Sequence, residues 1–174
     1  MAGRQPSLVR RAALLNLAAA AATMIAFLLL ASVVAPPVGI ADPGARMAFW
    51  ARLVLWPALL LFAMIFGVVA ARGQAQAFNP IDDPESRFQR VGQRVLANSV
   101  EQTLVFVPAL AALVASLPLP DLGAAVVATG LFVLGRLLFW AGYLVHPFWR
   151  APGMAMTLAV NLIVLGWAVL RALA

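Results

Sequence analysis

Hydrophobic and polar positions along this chain fall in long blocks, not in the short alternation of strands or the single stripe of a soluble helix. Five apolar runs, at about 11–35, 48–71, 91–117, 122–146 and 153–173, each supply the roughly 20 residues that a helix needs to cross a hydrocarbon core. Pro36-Pro37 and the stretch to Asp42-Pro43-Gly44 close the first run, and Gly73 to Pro84 forms the longest polar connection. Pro118 and Pro120 make a tight turn, so the third and fourth helices should be antiparallel neighbours. Arg150-Ala151-Pro152-Gly153 opens the last run, where proline is tolerated in a first helical turn. The pattern predicts an all-α integral membrane protein with no internal repeat and no soluble domain.

The third run carries a conflict. Arg87, Arg90, Arg94, Asn98 and Glu101 are spaced by three, four, four and three residues, which stacks all five along one helix face. Counting about 1.5 Å per residue from the helix end, Glu101 lies roughly 13–15 Å deep, and Arg136 on the next helix lies at about the same level. A charge at that depth costs about 2.5–3.5 kcal/mol or more, so opposite charges on antiparallel neighbours are expected to pair. Glu101 and Arg136 are therefore the expected structural ion pair, with Asn161 of the fifth helix at a similar level.

Composition changes the picture at three points. The chain is 64% hydrophobic and 10% charged, against about 25% charged in ordinary soluble domains. Its twelve basic residues are all arginine, and the net charge is +6. Such an excess in a soluble chain would suggest nucleic acid, but these arginines sit at the ends of apolar runs, where membrane topology and lipid phosphates account for them. There is no cysteine, which excludes disulfides, thiolate nucleophiles and Cys-ligated metals, so any thiol comes from a ligand. The basic start of the first run, with Arg4, Arg10 and Arg11, resembles a signal peptide. Its apolar stretch of 24 residues exceeds the usual 7–15, and a retained span is expected.

Arginine counts orient the chain. Arg4, Arg10, Arg11, Arg72, Arg87, Arg90, Arg94 and Arg150 fall on one side, against Arg46, Arg52 and Arg171 on the other. The majority side should be cytoplasmic, with the N-terminus inside and the C-terminus outside. Trp50, Trp56, Trp149 and Trp167 lie near run ends, as interfacial aromatics do.

Around the cytoplasmic mouth gather Arg94, Asn98 and Glu101 with loop-end residues Arg72, Tyr143, His146 and Arg150. Arginines suit carboxylates and Glu101 suits an ammonium, so the cluster fits a small anionic ligand that also bears one cation. His146 stands alone, without the second His or carboxylate that metal binding needs, and no metal is expected. Asp82, Asp83 and Glu85 read as loop solvation and helix-start charges.

Arg94-x-x-x-Asn98-x-x-Glu101, followed by an apolar run with Pro108, resembles the MAPEG family, the membrane-associated proteins in eicosanoid and glutathione metabolism. Gly135-Arg136-Leu-Leu-Phe-Trp-Ala-Gly142-Tyr143, with Arg150 seven residues later, is similar to the family's third-helix motif and the arginine opening its last helix. The likeness covers about residues 50 to 173. It implies a bacterial-type member with a MAPEG-like four-helix domain over 46–174, preceded by an additional transmembrane helix and loop over 1–45. It also implies a homotrimer in an inner or plasma membrane, with glutathione bound between protomers near the cytosolic face.

Carried over, Arg94, Asn98, Glu101, Tyr143 and Arg150 would contact glutathione. Arg72 would be the catalytic arginine that favours thiolate over thiol. Gln102 and Phe139 depart from catalytic relatives, which often present tyrosine or another polar group there. The resemblance implies a glutathione-dependent transferase or peroxidase acting on lipophilic electrophiles that arrive from lipid. The alternative is a non-enzymatic lipid-binding or scaffolding relative whose polar stripe only clasps helices. A transporter is disfavoured, because no paired halves with broken helices appear.

Overall fold

The computed structural model describes residues 6–75, 79 and 84–174, which include five helices and no strand. They are α1 (Pro6–Val33), α2 (Pro43–Ala75), α3 (Arg87–Ser116), α4 (Gly123–Val145) and α5 (Ala151–Leu173). A short 3₁₀ turn, Leu119–Leu122, joins α3 to α4 at the expected Pro118/Pro120 break. All five helices are long and apolar enough to cross a membrane, and the chain is an integral multi-pass membrane protein. Most of the apolar side chains on α1 and α2 are exposed on the protomer, as expected when the surrounding solvent is lipid. Arg4, Asp82 and Asp83 lie outside the described residues.

Local chemistry sets the helix ends. Ser86 caps α3 by accepting the Gln89 amide at 3.1 Å, and Asp42 accepts the Ala45 amide at 2.9 Å at the start of α2. Pro43 and Pro152 stand at helix starts, where the missing N–H has no intrahelical partner to lose. At the far end of α3, Arg46 Nη1 donates to the Val114 and Leu117 carbonyls at 2.6 and 2.8 Å, and Arg171 donates to Ser116 O at 3.1 Å. Two guanidinium groups thus satisfy the terminal carbonyls and complement the negative end of the helix. With 33 residues, α2 is about 50 Å long, beyond a hydrocarbon core of about 30 Å.

α2 packs on α3 and α4, α5 packs on α3 and α4, and α1 lies outside this group along α5 and part of α4. The α4–α5 approach is close because Gly135 and Gly153 face each other across it. A Cβ on Gly153 would strike the backbone nitrogen of Phe139, and one on Gly135 would meet Thr157 Oγ1 at 2.8 Å.

Two apolar clusters hold the bundle. The larger lies toward the α3 C-terminus and contains Phe106, Leu110, Leu113, Leu122, Phe132, Val160 and Val164, with Phe106 and Phe132 stacked at 4.1 Å. The smaller contains Met64, Val95, Phe139 and Tyr143. Where the two clusters meet, α3, α4 and α5 contribute polar side chains: Asn98 and Gln102, Arg136, and Thr157 and Asn161.

Candidate functional site

Arg136 occupies the centre of this polar layer and is only 1% exposed. Its Nε donates to Thr157 Oγ1 at 2.9 Å, its Nη1 to Asn98 Oδ1 at 2.8 Å, and its Nη2 approaches Met154 Sδ at 3.8 Å. The guanidinium carbon lies 4.6 Å from the Phe139 ring centroid. The Thr157 hydroxyl donates a hydrogen bond to Gly153 O at 2.7 Å, so its oxygen is free to accept from the arginine. A buried cation is tolerated only when its donors are satisfied, and helix neighbours supply those acceptors here.

The expected ion pair takes a different form. Glu101 does not touch Arg136. Asn98 stands between them, accepting from Arg136 and donating from Nδ2 to Glu101 Oε2 at 3.4 Å. The reason lies in the α3 spacing: Asn98 is one turn from Glu101 on the same face, and an amide offers one group of each kind. Glu101 thereby stays exposed instead of losing its solvation beside the guanidinium. Asn161 does not join this network. It donates to Gln102 Oε1 at 2.8 Å and to Gln102 O at 3.2 Å, forming a separate clasp between α3 and α5.

Toward the α3 N-terminus the layer opens into a cavity of about 540 Å³, within the roughly 300–1,000 Å³ of small-molecule sites. Arg94, Asn98 and Glu101 of α3, Tyr143 of α4 and Arg150 of the α4–α5 connection all line it, so five of the residues singled out in the sequence share one cavity. Arg94 is exposed and has no hydrogen-bond or ion-pair partner among the described residues. Arg150 donates to the Tyr143 hydroxyl at 3.3 Å and packs over that ring at 4.9 Å. The cavity therefore presents two guanidinium groups, one exposed carboxylate, two amides (Asn98 and Asn16) and a phenol.

Arg72 is not among the lining residues. It lies in the last turn of α2 with its Nε buried and without a partner among the described residues. His146 Nδ1 accepts the Phe148 amide at 3.2 Å and shapes the connecting turn. Among the described residues no group of His, Asp or Glu is arranged to hold a metal.

Sequence reasoning missed two sets of residues. Thr157 and Met154 complete the Arg136 shell, and Gly153-x-x-x-Thr157 on a tightly packed helix was a readable signal for the first of them. Ala12 and Asn16 of α1 also line the cavity. An asparagine amid the Ala and Leu of an apolar run marked that face in advance.

Fold and site together define a multi-pass helical membrane protein with a polar, zwitterion-lined cavity at one end of its bundle. Residues 54–170 match the MAPEG family, and the chain belongs to that family. No individual curated protein matches the chain. The match spans α3, α4, α5 and most of α2, whereas α1 lies outside it.

Proposed function

We propose that the cavity binds glutathione and that the protein is a membrane-embedded, glutathione-dependent transferase or peroxidase for lipophilic electrophiles. The observation that carries this reading is the joining of two exposed arginines and one exposed carboxylate in a single 540 Å³ cavity within a MAPEG chain. Glutathione bears two carboxylates and one ammonium, so Arg94 and Arg150 take the carboxylates and Glu101 takes the ammonium. Arginine counts put the cavity end of the bundle on the cytoplasmic side, where glutathione is supplied.

In the reaction the bound thiol loses its proton to water and the thiolate attacks the electrophile. With an aryl chloride a carbon–sulfur bond forms as chloride leaves. Arg72 stabilises the thiolate, and since Arg72 does not line its own protomer's cavity, it acts on a neighbour's. The assembly is a homotrimer, in which the partner subunit's Arg72 completes each site. This assigns a use to a guanidinium whose Nε is buried without a partner among the described residues.

A second reading has its own support. Gln102, at one position where catalytic relatives depart from this chain, is engaged by Asn161, and Phe139, at the other, lies under Arg136. Both positions serve helix packing here, which suits a binding-only relative. Calorimetric titration of glutathione into the detergent-purified protein, followed by conjugation to chloro-dinitrobenzene, separates the readings. Binding with turnover supports the enzyme, and binding without turnover on this or a lipid hydroperoxide supports the second reading. No binding rejects the site.

A further inference from the structure

Asn16 is a polar residue in an apolar helix, and it has no partner among the described residues. The other polar side chains in the membrane-spanning stretch of α1 are self-satisfied: Thr23 Oγ1 donates to Ala19 O at 2.7 Å and Ser32 Oγ to Leu29 O at 2.8 Å. A carboxamide has two donors and an acceptor, more than one carbonyl of its own helix can satisfy, and one facing lipid with these unmet is costly.

Asn16 does not face lipid. The side of α1 that packs on the bundle runs through Ala12, Ala19, Thr23, Phe27 and Ala31, with Phe27 edge-on to Trp167 of α5 at 6.5 Å. Asn16 lies on this same stripe, four residues after Ala12 and three before Ala19. It is nevertheless exposed, because the bundle recedes there and leaves the cavity that Arg94, Glu101 and Arg150 also line. Leu17, one residue on, is 69% exposed on the outer side. At the opposite end α1 is held firmly, since a Cβ on Gly123 would strike the Val34 carbonyl.

We infer that α1 is a wall of the ligand cavity and that the Asn16 amide hydrogen-bonds the bound ligand. The inference rests on the glutathione reading and adds to it a contact from outside the region that matches the family. A tripeptide backbone presents amide N–H and C=O groups along its length, and a carboxamide meets either kind. The charged ends of the ligand go to Arg94, Arg150 and Glu101, and Asn16 takes a neutral peptide group between them. Ala12, one turn before it, keeps the approach open.

The test uses the full-length protein in detergent. Asn16→Leu removes the amide while keeping its branched shape in a somewhat larger side chain and suits an apolar helix, so the variant should fold with an unchanged elution profile. Its glutathione Kd should rise about 3- to 10-fold, the span of one neutral hydrogen bond. Because the chain has no cysteine, Asn16→Cys offers a single thiol for a water-soluble maleimide. Labelling should be fast and slowed by S-methylglutathione, which has no free thiol, whereas Leu17→Cys should label slowly and without protection. Unchanged affinity in Asn16→Leu, or labelling of Asn16→Cys that the ligand does not slow, overturns this inference alone. Failure of the wild-type protein to bind glutathione overturns the functional reading and this inference with it.

Discussion

Arg136 and Asn98 are joined by a 2.8 Å hydrogen bond from Nη1 to Oδ1, and the same amide turns its nitrogen to Glu101. A buried cation is thus linked to an exposed carboxylate through a neutral side chain whose two ends are held in one orientation. The amide sits at the junction between what holds the bundle and what lines the cavity.

Asn98→Leu takes the acceptor from Arg136 while leaving its charge in place. The expected loss is about 1.5–3 kcal/mol, the range for a hydrogen bond to a charged group. Arg136→Met with Asn98→Leu should cost less than the sum of the two single changes, because each removes the same interaction. Thermal unfolding of the four proteins in one detergent measures this, and strict additivity would mean that the two residues act independently.

Arg94 has no partner among the described residues, so Arg94→Ala should leave unfolding unchanged and act on ligand alone. Glutathione binding should weaken by about 1.5–3 kcal/mol, with Arg94→Lys recovering part of it. Calorimetric titration decides the matter, and equal affinities would remove Arg94 from the site.

Arg72→Ala should spare most glutathione binding and lower turnover, because its proposed task is to stabilise the thiolate. The thiolate absorbance of bound glutathione should fade in the same variant. Co-expression supplies a sharper check: Arg72→Ala and Arg94→Ala subunits, each impaired alone, should regain activity when mixed if sites are shared between protomers. No recovery would confine each site to one chain.

The arginine asymmetry predicts that Glu85 and Ala174 lie on opposite sides of the membrane. Glu85→Cys and Ala174→Cys, each the sole thiol, should react with an impermeant reagent from opposite sides of sealed vesicles. Labelling from the same side would mean that an odd number of spans does not separate them.

The five helices were legible because apolar blocks of this length admit few other structures in lipid, and the expected bounds differ from the observed ones mainly where polar residues extend a helix past its apolar run. Pro6–Val33 and Pro43–Ala75 are examples, since nothing in hydropathy marks where a helix stops once it has left the membrane. The α3 stripe was legible because three- and four-residue spacing fixes a shared face. Depth alone misjudged Glu101 and Arg136: equal height says nothing about which neighbour comes nearer, and Asn98 came nearer to both. Asn161, at a similar level, meets Gln102 on the facing helix instead, which offers it two oxygens. The part played by α1 was not legible from charge, since it carries only one amide toward the cavity.

The polar layer between the two apolar clusters also divides the bundle mechanically. On one side, more than twenty buried residues interlock around the Phe106–Phe132 stack, and on the other the buried apolar cluster among the described residues is the smaller one of Met64, Val95, Phe139 and Tyr143. Cohesion is therefore graded along the membrane normal, with a stiff anchor at one face and a loose rim at the other. Local opening should therefore begin at the cavity end, where fewer buried residues interlock.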